Sequence, residues 1–372
     1  MPVSRRGCHG PYTRLALARV ALLVCLFAGP AFAVETVRIA VGPELKVATV
    51  SAESLSAGPD EEAARFAPVA DGKAVLALKD DVLLLNDTPV PDGVVRLKAT
   101  GAVLDVGAMR VQGDVVALKG KTGVQLVNVL ALEDYLAGVL GSEMPRSFPM
   151  EALKAQAVAA RTYALQKKLD GYEKPWHLGS SVISQVYKGL EAHDDRTREA
   201  VEATRGQVLT WRLQPIEAYF HASCGGRTES GFDALSRDLP YLKPVECPCS
   251  ALPQSKWTLS LTKTEAKKAL GGKPTEMKVQ ARSRTGRAQR VELSPGRTMD
   301  AVTFREKVGY VKVKSLQFEA VPRGDGWELS GKGFGHGAGM CQWGANALAE
   351  KGKSYGAILQ HYYPGTELQT LY

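Results

Sequence analysis

Hydrophobic and polar positions alternate along the first part of this chain and then change to a helical spacing. From residue 74 to 129, short apolar runs are separated by Asp-Gly, Pro-Asp-Gly and Lys-Gly pairs. Alternation with a period of two between such turn residues predicts β-strands joined as hairpins. Two more strands are expected between residues 37 and 50, and a small, polar loop is expected from 51 to 71.

The helical pattern begins near residue 130 and predicts two consecutive helices. Apolar residues at helical spacing predict a short helix over residues 132–140, which Gly141 should end. A second helix is expected to reach Lys168, with Ser147 as its cap and Pro149 in its first turn. We expect this helix to be largely buried and closely packed, since its apolar stripe consists of Leu153, Ala157, Ala160 and Ala164.

The remaining elements complete a mixed α+β fold. Helices are expected over 195–204, 263–270, 345–351 and 358–362, with strands in GQVLTW, EAYFHAS and QRVELS. We predict a β-rich N-terminal region over residues 34–109 and a second domain over 110–372. The second domain should pack its helix pair on a β-sheet, and residues 257–318 are a candidate β-rich insertion.

The N-terminus predicts export. Residues 1–33 combine four arginines, an apolar run and an Ala-Phe-Ala ending, which is typical of a cleaved secretory signal peptide. Without that segment, which has no acidic residue, the formal charge falls from +8 to +4, too little to predict nucleic-acid binding. No later apolar run approaches the length of a membrane span, so we expect a periplasmic or extracellular protein.

Four cysteines remain after residue 33: Cys224, Cys247, Cys249 and Cys341. An even number of cysteines in an exported protein favours disulfides. The two cysteines of the Cys-Pro-Cys segment are too close to pair comfortably with each other, so each should pair elsewhere. The alternative is a structural zinc site, since three separate segments supply four thiols.

Glu143 and Arg161 are the first candidates for chemistry. Glu143 is expected in a loop between the two helices, where Met144, Pro145 and Phe148 could form an apolar surround suited to a general acid. The alternative is a solvated carboxylate or a partner of Arg146. Arg161 lies on the buried helix and must be paired, either in a structural salt bridge or with the catalytic carboxylate or substrate.

Several other residues are candidates for ligand binding or metal chemistry. His336 lies in a glycine-rich run that exposes backbone amides, although a tight turn with a hydrogen-bonded histidine explains the run equally well. Gln185 and Tyr187 could line a sugar groove or simply end a strand. His221 and Cys224 could form part of a zinc hydrolase site, but no acid/base residue accompanies them in the sequence.

Four stretches, in order, resemble the SpoIID/LytB family of sporulation and amidase-enhancer proteins. The first is LEDYLAGVLGSEMPRSFPMEALKAQAVAARTYAL at 132–165, followed by SQVYKGL at 184–190. The others are HASCGGRTES at 221–230 with LPYLKPV at 239–245, and the segment GFGHGAGMCQWGA and its continuation at 333–368. The resemblance spans about residues 110–372, whereas residues 34–105 match only loosely.

The resemblance implies a lytic transglycosylase that acts on peptidoglycan glycan strands already stripped of peptides. Glu143 corresponds to the family's acid/base residue, Arg161 to its arginine near the active site, and Lys243 to the lysine of its PYLK stretch. The matching stretches contain five candidates for contact with the glycan: Gln185, Tyr187, Ser223, His336 and Gln342. No cofactor is expected to be required.

Two further expectations accompany the resemblance. The amidase-enhancer members support an alternative function, a non-catalytic wall-binding protein that stimulates or recruits an N-acetylmuramoyl-L-alanine amidase. Some members also bind zinc through a cysteine directly before the Q-x-Y stretch. Because Ser184 occupies that position here and only His177 lies nearby, we do not expect that zinc site. The four cysteines form a different set.

Overall fold

The computed structural model describes residues 35–61, 64–179, 187–192, 194–251 and 255–372. The predicted signal peptide, Ser184 and Gln185 lie outside these ranges. Within them, no helix is both long and apolar enough to cross a membrane.

The largest sheet has seven strands and carries much of the main core. Their spatial order is β13 (Leu178–Gly179), β1 (Thr36–Leu45), β12 (Val124–Ala131), β11 (Asp114–Lys119), β8 (Val94–Ala99), β3 (Leu55–Gly58) and β4 (Ala67–Pro68). The β1–β13 pair is parallel and the other pairs are antiparallel. Since β3 and β4 belong to this sheet, the expectation that residues 51–71 form only a loop is wrong.

A second sheet of six antiparallel strands contributes to the same core. Its spatial order is β10 (Met109–Gln112), β9 (Val103–Val106), β2 (Val47–Ser51), β5 (Lys73–Lys79), β6 (Val82–Leu85) and β7 (Thr88–Pro89). β5 and β6 are joined by Asp80 and Asp81, both with positive φ, as two-residue hairpin turns require. The proposed boundary at residues 109/110 falls inside β10, and β8 pairs with β11 across it. The division into domains stays a prediction.

The first predicted helix is longer than its sequence pattern indicated. α1 spans Leu132–Glu143, so Gly141 does not end it and Glu143 is its last residue rather than a loop residue. The amide of Met144 still donates to the carbonyl of Leu140 (3.2 Å), and Pro145 then offers no further amide hydrogen.

The second predicted helix, α2, spans Met150–Asp170 and is buried from residue 152 to 165 except at Lys154. This confirms the predicted burial, and the small alanine side chains allow neighbouring elements to approach its backbone. Pro149 precedes the helix without a side-chain cap, so the predicted capping role of Ser147 is wrong. The elements packed on α2 include α1, α3 (Asp195–Glu202), β14 (Gln207–Trp211), α7 (Gln342–Glu350) and α8 (Tyr355–Tyr362).

Short strands join the second half of the chain to this core. β14 lies between β15 (Gln214–Pro215) and β24 (Glu367–Thr370). β16 (Phe220–His221) pairs in parallel with β23 (Met340–Cys341), so most of the EAYFHAS segment is not strand as predicted. This pairing brings the start of α7 beside residues 220–224. A short helix, α4 (Gly231–Leu235), follows.

Residues 257–329 contain a separate hydrophobic core. One of its sheets consists of β17 (Lys256–Thr262), β22 (Gly326–Lys332) and β21 (Phe318–Arg323), and the other of β18 (Lys278–Arg282), β19 (Ala288–Ser294) and β20 (Arg297–Asp300). Helices α5 (Lys263–Leu270) and α6 (Ala301–Val308) complete it, and α5 has the predicted bounds. A separate core is consistent with the predicted insertion.

A buried ion pair connects α1 to α2. Arg161 has no solvent exposure, and its Nε and Nη2 atoms donate to Glu133 at 2.9 and 2.6 Å. Its remaining hydrogens reach the Val201 carbonyl, the Thr204 hydroxyl and the Gln207 carbonyl. Burial alone would raise the pKa of Glu133, but hydrogen bonding and charge from Arg161 outweigh it and lower that pKa. The hydroxyl of Tyr372 also donates to Glu133, at 2.7 Å.

We predict that Arg161→Met destabilises the protein by about 3–5 kcal/mol, because it leaves the carboxylate of Glu133 buried without its cation. Urea unfolding at neutral pH measures this loss. The matched control is Arg198→Met on α3, where both side chains of the Arg198–Asp195 pair are more than half exposed. The loss of stability in this control should be below about 1 kcal/mol. Equal losses in the two variants would contradict the role given to the buried pair.

Candidate active site

Glu143 lies at the C-terminal end of α1, where it is half-buried and faces the start of α7. The side-chain nitrogen of Gln342, the first residue of α7, donates to Oε2 of Glu143 at 3.4 Å. Gln342 itself is buried. The structure therefore brings together two of the residues that the sequence comparison marked as candidates.

Gln156 of α2 extends this contact into the core. The same Gln342 nitrogen lies 3.4 Å from Oε1 of Gln156, which is fully buried. The Nε2 atom of Gln156 has no hydrogen-bond partner within the described ranges. Sequence reasoning missed this residue, although an amide side chain within an alanine-rich buried stretch was a usable indication. Glu143, Gln342 and Gln156 are hereafter called the polar triad.

Apolar and aromatic groups surround the inner side of the polar triad. Met144 and Phe148 are buried as the sequence suggested, whereas Pro145 is exposed. The ring of Phe148 packs edge-on against Trp343, with centroids 4.9 Å apart, which fixes the α1–α2 connection on α7. Tyr135 is fully buried, and burial followed by the charge of Glu143 raises the pKa of its phenol.

This arrangement suits proton transfer by a single carboxylate. Glu143 is partly accessible to a substrate, while buried groups hold it from behind. A carboxylate that can both give and accept a proton is a general acid and base.

Arg161 does not supply a substrate contact. Each of its five N–H groups is directed at an acceptor inside the protein: two at Glu133 and one each at Val201, Thr204 and Gln207. The structural salt bridge, one of the two alternatives left open by the sequence, is therefore the arrangement observed. No donor of its guanidinium is left for a ligand in this arrangement, and the role near the active site that the resemblance implies for Arg161 stays a prediction.

Lys243 has an exposed side chain in the loop that precedes Cys247. Among the described residues, its ammonium group makes no hydrogen bond or ion pair, and the structure does not bring it into contact with Glu143. Its predicted catalytic role stays a prediction.

Two predicted glycan contacts are buried instead. Tyr187 is 2% exposed, its hydroxyl donates to Oδ1 of Asn128 at 2.8 Å, and its ring packs on Tyr135. Ser223 is also 2% exposed, and its hydroxyl is hydrogen-bonded to that of Ser255 at 2.8 Å. Neither side chain can reach a polymer outside the protein without rearrangement, and the glycan contact implied for each stays a prediction. Gln185 lies outside the described residues.

Both ring nitrogens of His336 make hydrogen bonds to the backbone around the glycine-rich turn, and its predicted contact with the glycan stays a prediction. Its Nδ1 accepts from the Ala338 amide at 3.1 Å, so Nε2 carries the proton and donates to the Phe220 carbonyl at 2.9 Å. Burial is the main cause that lowers the pKa of His336 to about 4. The neighbouring His221 is buried, and this burial holds its pKa well below the usual range.

The four cysteines lie together in a buried cluster, hereafter the cysteine cluster. All four are free thiols, and their sulfurs lie within 4.8 Å of one another. The preferred disulfides are not formed in this structure, where three segments of the chain bring the four thiols to one point. His221 is not part of the cluster, which leaves the zinc hydrolase hypothesis without its histidine ligand.

The segment that contains Glu143 is similar to known proteins. The family model of the stage II sporulation protein SpoIID matches residues 120–211, which include α1, α2 and Glu143. Stage II sporulation protein D of Bacillus subtilis is 35% identical over 268 residues, covering 67% of this chain and 77% of that protein. An uncharacterized protein of Brachyspira hyodysenteriae is 36% identical over 250 residues, covering 65% of this chain and 68% of that protein.

A relative with a different name matches a smaller share of its own length. The amidase enhancer of Bacillus subtilis is 33% identical over 293 residues, covering 63% of this chain but 40% of that protein. From these matches, the chain belongs to the SpoIID family.

We predict that the stability of the protein falls as the pH decreases from about 6.5 towards 4. In this window, unfolded histidines with ordinary pKa values take up protons that folded His336, with a pKa of about 4, does not. The variant His336→Gln should show a smaller loss over the same window, whatever its absolute stability. Urea unfolding at several pH values measures how the free energy of unfolding changes with pH in the wild type and in the variant. The same pH dependence in both proteins would contradict the lowered pKa.

Proposed function

We propose that the protein is an exported lytic transglycosylase that cleaves the bond between N-acetylmuramic acid (MurNAc) and N-acetylglucosamine (GlcNAc) in denuded glycan strands. The observation that carries the proposal is the placement of Glu143. It ends α1 within the segment matched by the family model, is partly accessible, and accepts a hydrogen bond from buried Gln342. Membership of the SpoIID family and the predicted signal peptide support the cell wall as the place of action.

One carboxylate is enough for this reaction. Protonated Glu143 donates its proton to the glycosidic oxygen as the bond to C1 of MurNAc breaks, and GlcNAc leaves with a new hydroxyl. The ionised Glu143 then takes the proton of the MurNAc C6 hydroxyl, whose oxygen bonds to C1. The product ends in a 1,6-anhydro ring, and Glu143 is protonated again. Because no water attacks, the second carboxylate of ordinary glycosidases is not needed.

Gln342 and Gln156 are positioning residues in this proposal. The amide of Gln342 fixes the orientation of the Glu143 carboxylate through Oε2. Gln156 in turn accepts from the same amide, so α2 and α7 jointly limit the rotamers of Gln342. A catalytic carboxylate held in this way loses less conformational freedom when the substrate binds.

A second function is favoured by one relative. Similarity to an amidase enhancer supports a wall-binding protein that stimulates an N-acetylmuramoyl-L-alanine amidase without cleaving glycan itself. The exposed Lys243 is available to an anionic wall polymer under either function. The two functions differ in whether purified protein alone shortens glycan strands.

We predict that Glu143→Gln lowers the cleavage rate by roughly 10²–10⁴-fold, because the amide cannot exchange the required proton. Denuded glycan strands are incubated with each protein, and the products are weighed by mass spectrometry. Wild-type protein should release anhydro-ended fragments. The matched control, Glu202→Gln at a half-exposed site on α3, should retain full activity.

Three results would count against the proposal. Equal cleavage by wild type and Glu143→Gln would remove Glu143 as the acid/base. Intact strands with folded wild-type protein, together with stimulation of an added amidase, would favour the enhancer function. New reducing ends without anhydro rings would identify a hydrolase.

We predict that Gln342→Ala lowers kcat about tenfold while KM changes little, because the variant loses the orientation of Glu143 but not a contact with the glycan. Steady-state cleavage of a defined glycan fragment separates the two constants. The control is Gln214→Ala on the exposed strand β15, which should match the wild type. A large rise in KM with unchanged kcat would instead place Gln342 in substrate binding.

A further inference from the structure

The cysteine cluster joins three parts of the chain that are distant in sequence. Cys224 follows β16, Cys247 and Cys249 flank Pro248 in the loop after Lys243, and Cys341 caps the N-terminus of α7. All four side chains are buried, three of them completely. Because none of them forms a disulfide, the burial of four thiols in one place requires another physical explanation.

The spacing of the sulfurs fits a single metal ion. A Zn²⁺ ion in tetrahedral thiolate coordination holds its sulfurs at about 2.3 Å, which places them about 3.8 Å apart. Here every pair lies within 4.8 Å, and the sulfurs of Cys224 and Cys249 are 3.3 Å apart. An iron–sulfur cluster would distribute its thiolates over several iron atoms and separate them further. The donor set of four sulfurs is the one that structural zinc prefers.

Hydrogen-bond donors surround the sulfurs. The amides of Cys224 and Gly344 both donate to Sγ of Cys341 at 3.3 Å. The hydroxyl of Tyr362 lies 3.1 Å from Sγ of Cys247. Such donors stabilise the excess negative charge of metal-bound thiolates and set their orientation. Neutral thiols in an apolar core would require no comparable set of hydrogen-bond donors.

Gly344 shows how closely the chain approaches the cluster. A Cβ atom at this position would lie 2.3 Å from Sγ of Cys247 and 2.0 Å from the Tyr362 hydroxyl. Only glycine therefore allows α7 to come this near.

A buried cation lies next to the cysteine cluster. Arg287, which is 4% exposed, donates to the Cys224 carbonyl at 2.7 Å and lies 3.8 Å from the carboxylate of Glu229. One Zn²⁺ with four thiolates carries a net charge of −2, which a neighbouring guanidinium stabilises. Arg287 comes from β18–β19, so the predicted insertion contributes to this environment.

We propose that Cys224, Cys247, Cys249 and Cys341 bind one structural Zn²⁺ ion. On binding, the four thiols lose their protons and the four sulfur–zinc bonds form with no change of oxidation state. Four protein ligands leave no open coordination position, so the ion has no part in catalysis. It fastens the start of α7 to residues 224–249, and because Gln342 follows Cys341 directly, it also holds the polar triad.

The test on wild-type protein combines metal analysis with thiol titration. Purified full-length protein should contain one zinc per chain. Stepwise modification of the thiols with an organomercurial should release zinc in proportion to the number of thiols modified. The release should be complete when all four cluster thiols have reacted. Protein refilled with Co²⁺ should show the sulfur-to-cobalt charge-transfer absorption of a thiolate site. A mass lower by four hydrogens in zinc-free protein would show two disulfides and overturn the proposal, as would iron in place of zinc.

A variant pair tests the structural role. Cys247→Ser should lose most of the zinc and have a lower melting temperature. The control Ser250→Ala changes an exposed neighbour and should keep the zinc content and melting temperature of the wild type. Full zinc content in Cys247→Ser would overturn the assignment of this ligand. If Cys247→Ser does not fold, the wild-type titration still decides the proposal. These measurements do not depend on glycan cleavage, so their outcome is independent of the proposed function.

Discussion

The buried pair of Glu133 and Arg161 is the interaction on which the position of the candidate active site depends. It joins the first turn of α1 to the middle of α2 and takes up two donors of a guanidinium that is fully buried. Val201, Thr204 and Gln207 accept from the other three donors. A buried charge without its partner is costly, so the two helices cannot slide past each other without losing several kcal/mol. Glu143 lies at the other end of α1, and its location follows from this constraint.

The other elements position the groups that meet Glu143. The alanine-rich face of α2 lets α7 approach closely, and Phe148 packs on Trp343 where the two regions meet. Gln342 then bridges the carboxylate of α1 and the amide of α2. Cys341 precedes Gln342, so the cysteine cluster and the polar triad share the N-terminus of α7. The cysteine cluster and the candidate catalytic group are thus adjacent in both sequence and space.

Local patterns predicted the local structure well and the long-range contacts poorly. The hairpins of residues 74–129, α5 and the buried face of α2 followed from periodicity and turn residues. Gly141 failed as a helix end because tertiary packing of α1 outweighs the modest cost of one glycine. The partner of Arg161 could not be chosen from sequence, since Glu133 is 28 residues away and other carboxylates were available. The clustering of the four thiols could not be predicted, because spacing along the chain does not reveal that they converge on one point.

In the proposed reaction, Glu143 serves as both acid and base, and the substrate supplies its own nucleophile. Digestion of denuded glycan strands in water enriched in ¹⁸O tests this mechanism most directly. Intramolecular attack by the C6 hydroxyl predicts anhydro-ended products without ¹⁸O. Incorporation of one ¹⁸O atom at each new reducing end would show that water attacks C1, and it would contradict the mechanism.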